Sequence, residues 1–329
     1  MKLLFLFGLF CICLASKSYA PGGTWVKSKD PLLECKERYL CTPDELTWKS
    51  DNNPKLINHK EACDALIDAG ITRIDFHGDS YMRQIYAALL ITLNGNYVNG
   101  SIANTPFAHA NGAKDCTYHK QFAEKHCGVK QLNHGPRVCD GKITLDPLLN
   151  GLDNLNQCKS KKGSIALFSW GNYKVGPQYF ERHGVNNATA YANFFEDSGL
   201  CPKVRDYTSS SNGENRNCNI YWISTHYRLK AYYDDEKENI IRKYNNDMRE
   251  FIESKSCGDI NYIDVYNMTR VLGSKYNDIA MKSMSYDHVH WGMEVNLVKA
   301  QIIMNALLSS VSVSVHPTST STSSSEEMR

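Results

Sequence analysis

Two periodicities meet near residue 78 of this chain. Ile71-Thr72-Arg73-Ile74-Asp75-Phe76 alternates apolar and polar positions as a strand does. After Gly78-Asp79-Ser80 the repeat lengthens. Tyr81 to Leu93 carries Ile85, Ala88, Leu89 and Thr92 at helical spacing. Strand, glycine-containing turn and helix open a parallel α/β unit. Just upstream, Leu56 to Ala69 has helical spacing at Ala62, Leu66 and Ile67 and stops at Gly70. Short apolar runs at Ser164–Trp170, Asn219–Ser224 and Tyr262–Val265 predict buried strands. A long helix is predicted over Asp234–Ser256 on Ile240, Ile241, Tyr244, Met248, Phe251 and Ile252, and a last one from Met293 to about Leu308. This alternation predicts an α/β fold, with a central parallel sheet and helices on both faces. No internal repeat is visible.

The flanks read differently. Residues 21–54 are polar and irregular, with Cys35 and Cys41 close together, and read as an N-terminal wrap stapled to the body. Residues 94–155, with Cys116, Cys127 and Cys139, are too long for a bare loop and read as an insertion beside the site. At the N-terminus, Lys2 precedes an apolar stretch from Leu3 to Ala15, shorter than a membrane span. Ser18-Tyr19-Ala20 then offers small residues for cleavage after Ala20. The expected organisation is a signal peptide over 1–20, one catalytic domain over 21–308 and a disordered tail over 309–329. That tail is rich in Ser and Thr, which suits O-glycosylation. The competing reading keeps the leader as an anchor in a Golgi-type membrane.

Ten cysteines follow the leader, an even number consistent with disulfides in an exported protein, although one sequence does not fix their pairing. Sequons at Asn99, Asn187 and Asn267 fit the same compartment. A formal net charge of +2 with interspersed signs gives no basic stripe for nucleic acid. Nineteen tyrosines outnumber phenylalanine and tryptophan together, and core packing is their commoner use.

The candidate chemistry lies at two distant places. A serine on a sharp strand-to-helix turn exposes its hydroxyl at the carboxyl edge of the sheet, and its N–H begins a helix. The competing role is helix capping by Asp79 or Ser80. Near the C-terminus, Asp287-His288-Val289-His290 places a carboxylate three residues before a histidine. The carboxylate then reaches Nδ1, which leaves Nε2 for a serine. The competing role there is a helix cap with solvated histidines. His288 is a rival base at poorer spacing from Asp287. A metal site using His288 and His290 with His226 or His77 lacks a third ligand at suitable spacing, so neither metal nor cofactor is expected.

These residues carry a family resemblance. Gly78-Asp79-Ser80-Tyr81-Met82-Arg83-Gln84 matches the Gly-Asp-Ser-x-x-Arg motif of the PC-esterase family, and Asp287-His288-Val289-His290-Trp291 matches its Asp-x-x-His. The chain therefore resembles that branch of the SGNH (GDSL-like) hydrolases, which includes trichome-birefringence-like polysaccharide O-acetyltransferases and the sialic-acid O-acetyltransferase domain. Weaker echoes are Phe168-Ser169-Trp170-Gly171-Asn172-Tyr173 and Ile223-Ser224-Thr225-His226-Tyr227-Arg228. The resemblance runs from about Cys35 to Ala306.

It implies a three-layer α/β/α sandwich of SGNH type, with Ser80 as nucleophile, His290 as base and Asp287 as orienter. Gly171-Asn172 is similar to the superfamily's Gly-x-Asn oxyanion element, although the intervening residue is missing. Arg83 falls one helical turn after Ser80, where it binds substrate oxygen or forms an ion pair. His226 reads as a substrate contact or a satisfied edge histidine, and His77 as structural. The implied activity is esterase or O-acetyltransferase action on acyl esters of a glycan, with an acetyl donor in the second case. Membrane contact is expected only if the leader is retained. A non-catalytic glycan-binding or wall protein that keeps the fold is the alternative.

Overall fold

The computed structural model describes residues 18–37, 39–41, 45–50, 56–102, 116–117, 121, 136–148, 163–171, 175–208, 218–229, 235–276 and 289–311. The strands are β1 (Ser18–Tyr19), β2 (Gly23–Lys27), β3 (Leu46–Ser50), β4 (Arg73–Gly78), β5 (Arg137–Val138), β6 (Ile143–Pro147), β7 (Ser164–Ser169), β8 (Cys218–Ile223) and β9 (Ile260–Ile263). A π-helical turn spans Leu32–Glu37, and the α-helices are α1 (His59–Asp68), α2 (Ser80–Asn94), α3 (Pro177–Arg182), α4 (Ala188–Asp197), α5 (Leu200–Thr208), α6 (Asp235–Glu253), α7 (Tyr266–Lys275) and α8 (Met293–Val311).

A seven-stranded sheet runs in the order β1-β9-β8-β7-β4-β6-β5. It is parallel except where β5 meets β6. The strand side chains divide between two cores. Ile165 and Leu167 of β7 join the core formed with α1, α2 and α8. Ala166 and Phe168 join the core formed with α3 to α6. Burial on both faces explains why the predicted strands read as unbroken apolar runs. Many tyrosines serve these cores: Tyr86, Tyr191, Tyr221, Tyr227, Tyr244 and Tyr262 are all buried in them.

β4 alternates in sequence, yet all six of its residues are buried. Its polar side chains have internal partners instead of water. Nε of Arg73 donates to Asp75 at 2.6 Å, and the same guanidinium pairs with Asp146 on β6. His77 stacks on Phe168 with ring centroids 4.6 Å apart, in keeping with its structural reading.

Several expectations need correction. The N-terminal segment is not irregular throughout, because β2 and β3 form an antiparallel pair. Trp25 and Trp48 pack edge-on across it, and Nε1 of Trp25 donates to the Met268 carbonyl of α7. Residues 94–155 are not wholly an insertion, because β6 enters the main sheet beside β4. Helices α3 to α5 were not predicted. Clustered aromatics such as Phe180, Tyr191 and Phe195 bury them, without a long aliphatic stripe to reveal the period. Ser309 and Ser310 belong to α8, and the Ser310 hydroxyl bonds that of Tyr221. Residues 312–329 lie outside the described residues.

β1 bears on the leader. Ser18 and Tyr19 pair in parallel with Tyr262 and Ile263, and the Tyr19 carbonyl accepts from the Asp264 N–H at 2.8 Å. A chain cut after Ala20 would lose this strand and leave the β9 edge unpaired. The earlier part of the expected leader lies outside the described residues.

Disulfides join Cys35 to Cys41, Cys63 to Cys139 and Cys201 to Cys257. Cys116 and Cys218 are disulfide-bonded as well. Among the described residues no helix is long and apolar enough to cross a membrane. Both facts are compatible with a secreted or lumenal protein.

The sequons differ in access. Asn187 and Thr189 are exposed. Ser101 of the Asn99 sequon is buried and its hydroxyl donates to Gln121. Thr269 of the Asn267 sequon is buried and its hydroxyl donates to the Val265 and Tyr266 carbonyls. Glycopeptide mapping of the protein secreted from a eukaryotic host is expected to find sugar at Asn187 and a bare Asn267. A bare Asn187 beside an occupied Asn267 would contradict this reading of access.

Candidate active site

The nucleophile candidate sits where β4 ends and α2 begins. Asp79 caps the helix, its Oδ1 accepting from the Tyr81 N–H at 3.0 Å. Its Oδ2 accepts from the Gly171 N–H at 2.7 Å. One carboxylate thus ties the start of α2 to the chain leaving β7. Ser80 follows as the first residue of the helix and is largely buried. Nε2 of His290 lies 2.8 Å from its Oγ, across 210 residues of sequence. This is the distance at which a ring nitrogen can accept a hydroxyl proton.

Asp287 and the rival base His288 lie outside the described residues, as does Asn172. Gly171 is described, and its backbone is already engaged. Its N–H goes to Asp79, and its carbonyl accepts from the Arg228 guanidinium at 2.6 Å. The expected oxyanion role for Gly171 therefore gives way to a structural one. Arg83 lies within the first turn of α2, partly exposed, with its N–H donating to the Asp79 carbonyl at 3.1 Å. Among the described residues no cluster of metal-ligating side chains is present.

His226 is also not where a substrate could touch it. It is 2% exposed and both ring nitrogens are engaged. Nε2–H donates to the Val289 carbonyl at 2.9 Å, and Nδ1 accepts from Nζ of Lys299 at 2.9 Å. Tyr81 stacks flat on its ring at 3.8 Å and meets the His290 ring edge-on at 5.7 Å. The imidazole is thus an internal brace between the residue after Ser80 and the residue before His290.

The brace continues on the far side of His290. Lys299 also donates to Oδ1 of Asn296, and the Asn296 carboxamide donates to the Trp291 carbonyl at 2.6 Å. Nε1 of Trp291 donates to the Tyr227 carbonyl. Arg228 donates to the Tyr81 hydroxyl and packs over its ring. The segments bearing Ser80, Gly171 and His290 are therefore held by one buried polar network. A network of this kind fixes geometry only if its members are satisfied.

Charge is consistent with that. Burial holds Lys299 well below the ordinary lysine range. A neutral amine has two N–H groups, and its two acceptors are Nδ1 of His226 and Oδ1 of Asn296. Burial is also the main cause lowering His226, followed by Lys299; His290 and Arg228 act in the same direction, and the Val289 bond opposes them. A neutral imidazole with its proton on Nε2 meets both partners.

A prediction follows from Lys299. The unfolded chain keeps this lysine protonated up to its ordinary value near 10.5, whereas burial makes it lose its proton at lower pH in the fold. The unfolded state then binds more protons, so stability rises with pH, by at most about 1.4 kcal/mol per unit for one group. Urea midpoints taken from pH 7 to 9 are expected to rise more steeply for the wild type than for Lys299→Met. Equal slopes would mean that the lysine stays charged in the fold.

Sequence reading named Ser80, His290 and His226 but missed the roles of Tyr81, Arg228, Asn296 and Lys299. A signal for the last two was present. Asn296 and Lys299 are a polar pair one helical turn apart, set among the apolar residues Val295, Leu297, Val298 and Ala300 of α8.

No protein-family model, curated protein or solved structure matches this chain.

Proposed function

We propose that the protein is a serine-dependent acyl-ester hydrolase or O-acyltransferase of SGNH type, akin to the PC-esterase branch. On this reading it acts on acyl esters of glycans, acetyl above all, within the secretory pathway or outside the cell. The single observation carrying the proposal is the 2.8 Å approach of His290 Nε2 to Ser80 Oγ on a strand-to-helix turn.

Ser80 Oγ attacks the ester carbonyl while its proton passes to Nε2 of His290. Asp287 stabilises the resulting imidazolium. The oxyanion is met by the Ser80 N–H at the start of α2, with Asn172 as a second donor. Collapse breaks the ester C–O bond, and the imidazolium returns its proton to the leaving alcohol. The acyl group is then on Ser80. Water completes a hydrolase cycle and a sugar hydroxyl completes a transferase cycle, each activated by His290.

The first test is turnover of p-nitrophenyl acetate by the purified full chain, alone and with a neutral oligosaccharide as acceptor. Acetate release alone makes it a hydrolase, and an acetylated oligosaccharide makes it a transferase. Neither product, with this donor or an acetylated glycan, would favour a non-catalytic glycan-binding protein.

A further inference from the structure

A second feature lies at the same carboxyl edge of the sheet. Three strands away from Ser80, beyond the end of β9, a cavity of about 460 Å³ opens between α6, the start of α7 and residues 20–22. Three guanidinium groups line it, Arg242 and Arg249 from α6 and Arg270 from α7. Two residues seven apart on a helix share a face, which is why both α6 arginines reach one cavity.

Only one carboxylate, Asp264, is on the wall, and it is heavily engaged. Its Oδ1 accepts from the N–H groups of Tyr266 and Asn267 and from the Ser224 hydroxyl. Its Oδ2 accepts from Arg249 at 3.1 Å. Arg242 and Arg270 donate instead to neutral carboxamides, those of Asn239 and Asn267. Among the described residues neither has a carboxylate partner. The cavity therefore holds an excess of positive charge on planar groups suited to bidentate recognition of an oxyanion.

We propose that this cavity binds an oxyanion carried by the glycan, a carboxylate or a sulfate. Adjacent strands are about 4.8 Å apart, so β9 and β4 themselves are about 14 Å apart across the sheet. That the bound carrier is a glycan rests on the function proposed above. The oxyanion site itself does not.

The test is calorimetric binding by the full chain in about 150 mM salt, where Debye screening limits long-range attraction to about 8 Å. The probes are a sulfated tetrasaccharide, a uronic-acid tetrasaccharide and a neutral tetrasaccharide. At least one anionic probe is expected to bind wild type and Ser80→Ala equally, and the one that binds identifies the group. Arg242→Gln/Arg270→Gln is expected to weaken that binding by about tenfold or more through loss of two charge-assisted contacts. Lys237→Gln/Lys243→Gln removes the same charge from α6 outside the cavity and should leave it unchanged. Turnover of p-nitrophenyl acetate should be unaltered in the arginine variant, whose thermal melt confirms folding.

Wild-type affinity in the arginine variant, equal loss in the lysine control or no binding of either anionic probe overturns the proposal. So does a sugar found on Asn267, which would occupy the cavity. Failure of the catalytic reading has a different signature, namely full p-nitrophenyl acetate turnover by Ser80→Ala.

Discussion

Ser80→Ala is expected to lower p-nitrophenyl acetate turnover by about 10⁴-fold or more, with little change in stability. The size follows from how triads act. The serine, base and orienter work as one unit, so loss of the nucleophile removes nearly all of the chemistry and leaves only binding and oxyanion stabilisation. The stability expectation follows from the local structure. The cap of α2 comes from the Asp79 side chain, and the serine hydroxyl has His290 as its bonded partner. Removing one such hydroxyl at a helix start alters stability by about 1 kcal/mol or less. Steady-state rates with a urea midpoint on the same preparation check both halves. A variant that keeps a tenth of wild-type turnover would show that Ser80 is not the nucleophile.

The largest effect on folding is expected from Gly78→Ala. Gly78 has φ of +156°, and a Cβ built there would lie 1.9 Å from the Ser169 carbonyl oxygen and 2.8 Å from Cβ of Met82. The first of these atoms is backbone, and Gly78 is directly paired with Ser169 across β4 and β7 at the centre of the sheet. Relief would require the central strands to separate at the point where the nucleophile turn begins. The substitution is expected to cost about 3 kcal/mol or more, or to prevent accumulation of folded protein. Gly184→Ala provides the comparison. It shares a positive φ of +66° but has nothing within 4 Å of its added Cβ. Only the left-handed backbone penalty of about 1–2 kcal/mol should remain. Equal urea midpoints for the two variants would contradict the packing described at the turn.

The sheet and its main helices were legible in sequence because each carries its own period. The runs at Ser164, Asn219 and Tyr262 gave β7, β8 and β9 to within two residues. β2, β3 and β6 were not legible. Trp25, Trp48 and Ile143 are buried by partners remote in sequence, and their segments are short and mixed with polar residues. The site divides similarly. Ser80 and His290 stood out because each sits in a motif with chemical logic. The network behind them did not, since the role of Lys299 depends on His226, 73 residues away, and that of Arg228 on Tyr81, 147 residues away. For His226 the sequence left two roles open, a substrate contact or a satisfied edge histidine, and the structure shows the second. A histidine just past a strand end looks available for substrate, and only the fold reveals that both its nitrogens are taken.

The central claim is that Ser80 becomes acylated with His290 as its base. Intact-mass spectrometry of the full chain, quenched in acid after brief exposure to p-nitrophenyl acetate, tests this directly. The account predicts a single added acetyl group that peptide mapping places on Ser80, absent in Ser80→Ala and strongly reduced in His290→Ala. Acetyl on another residue during turnover, or an adduct on Ser80 that forms equally fast without His290, would contradict it.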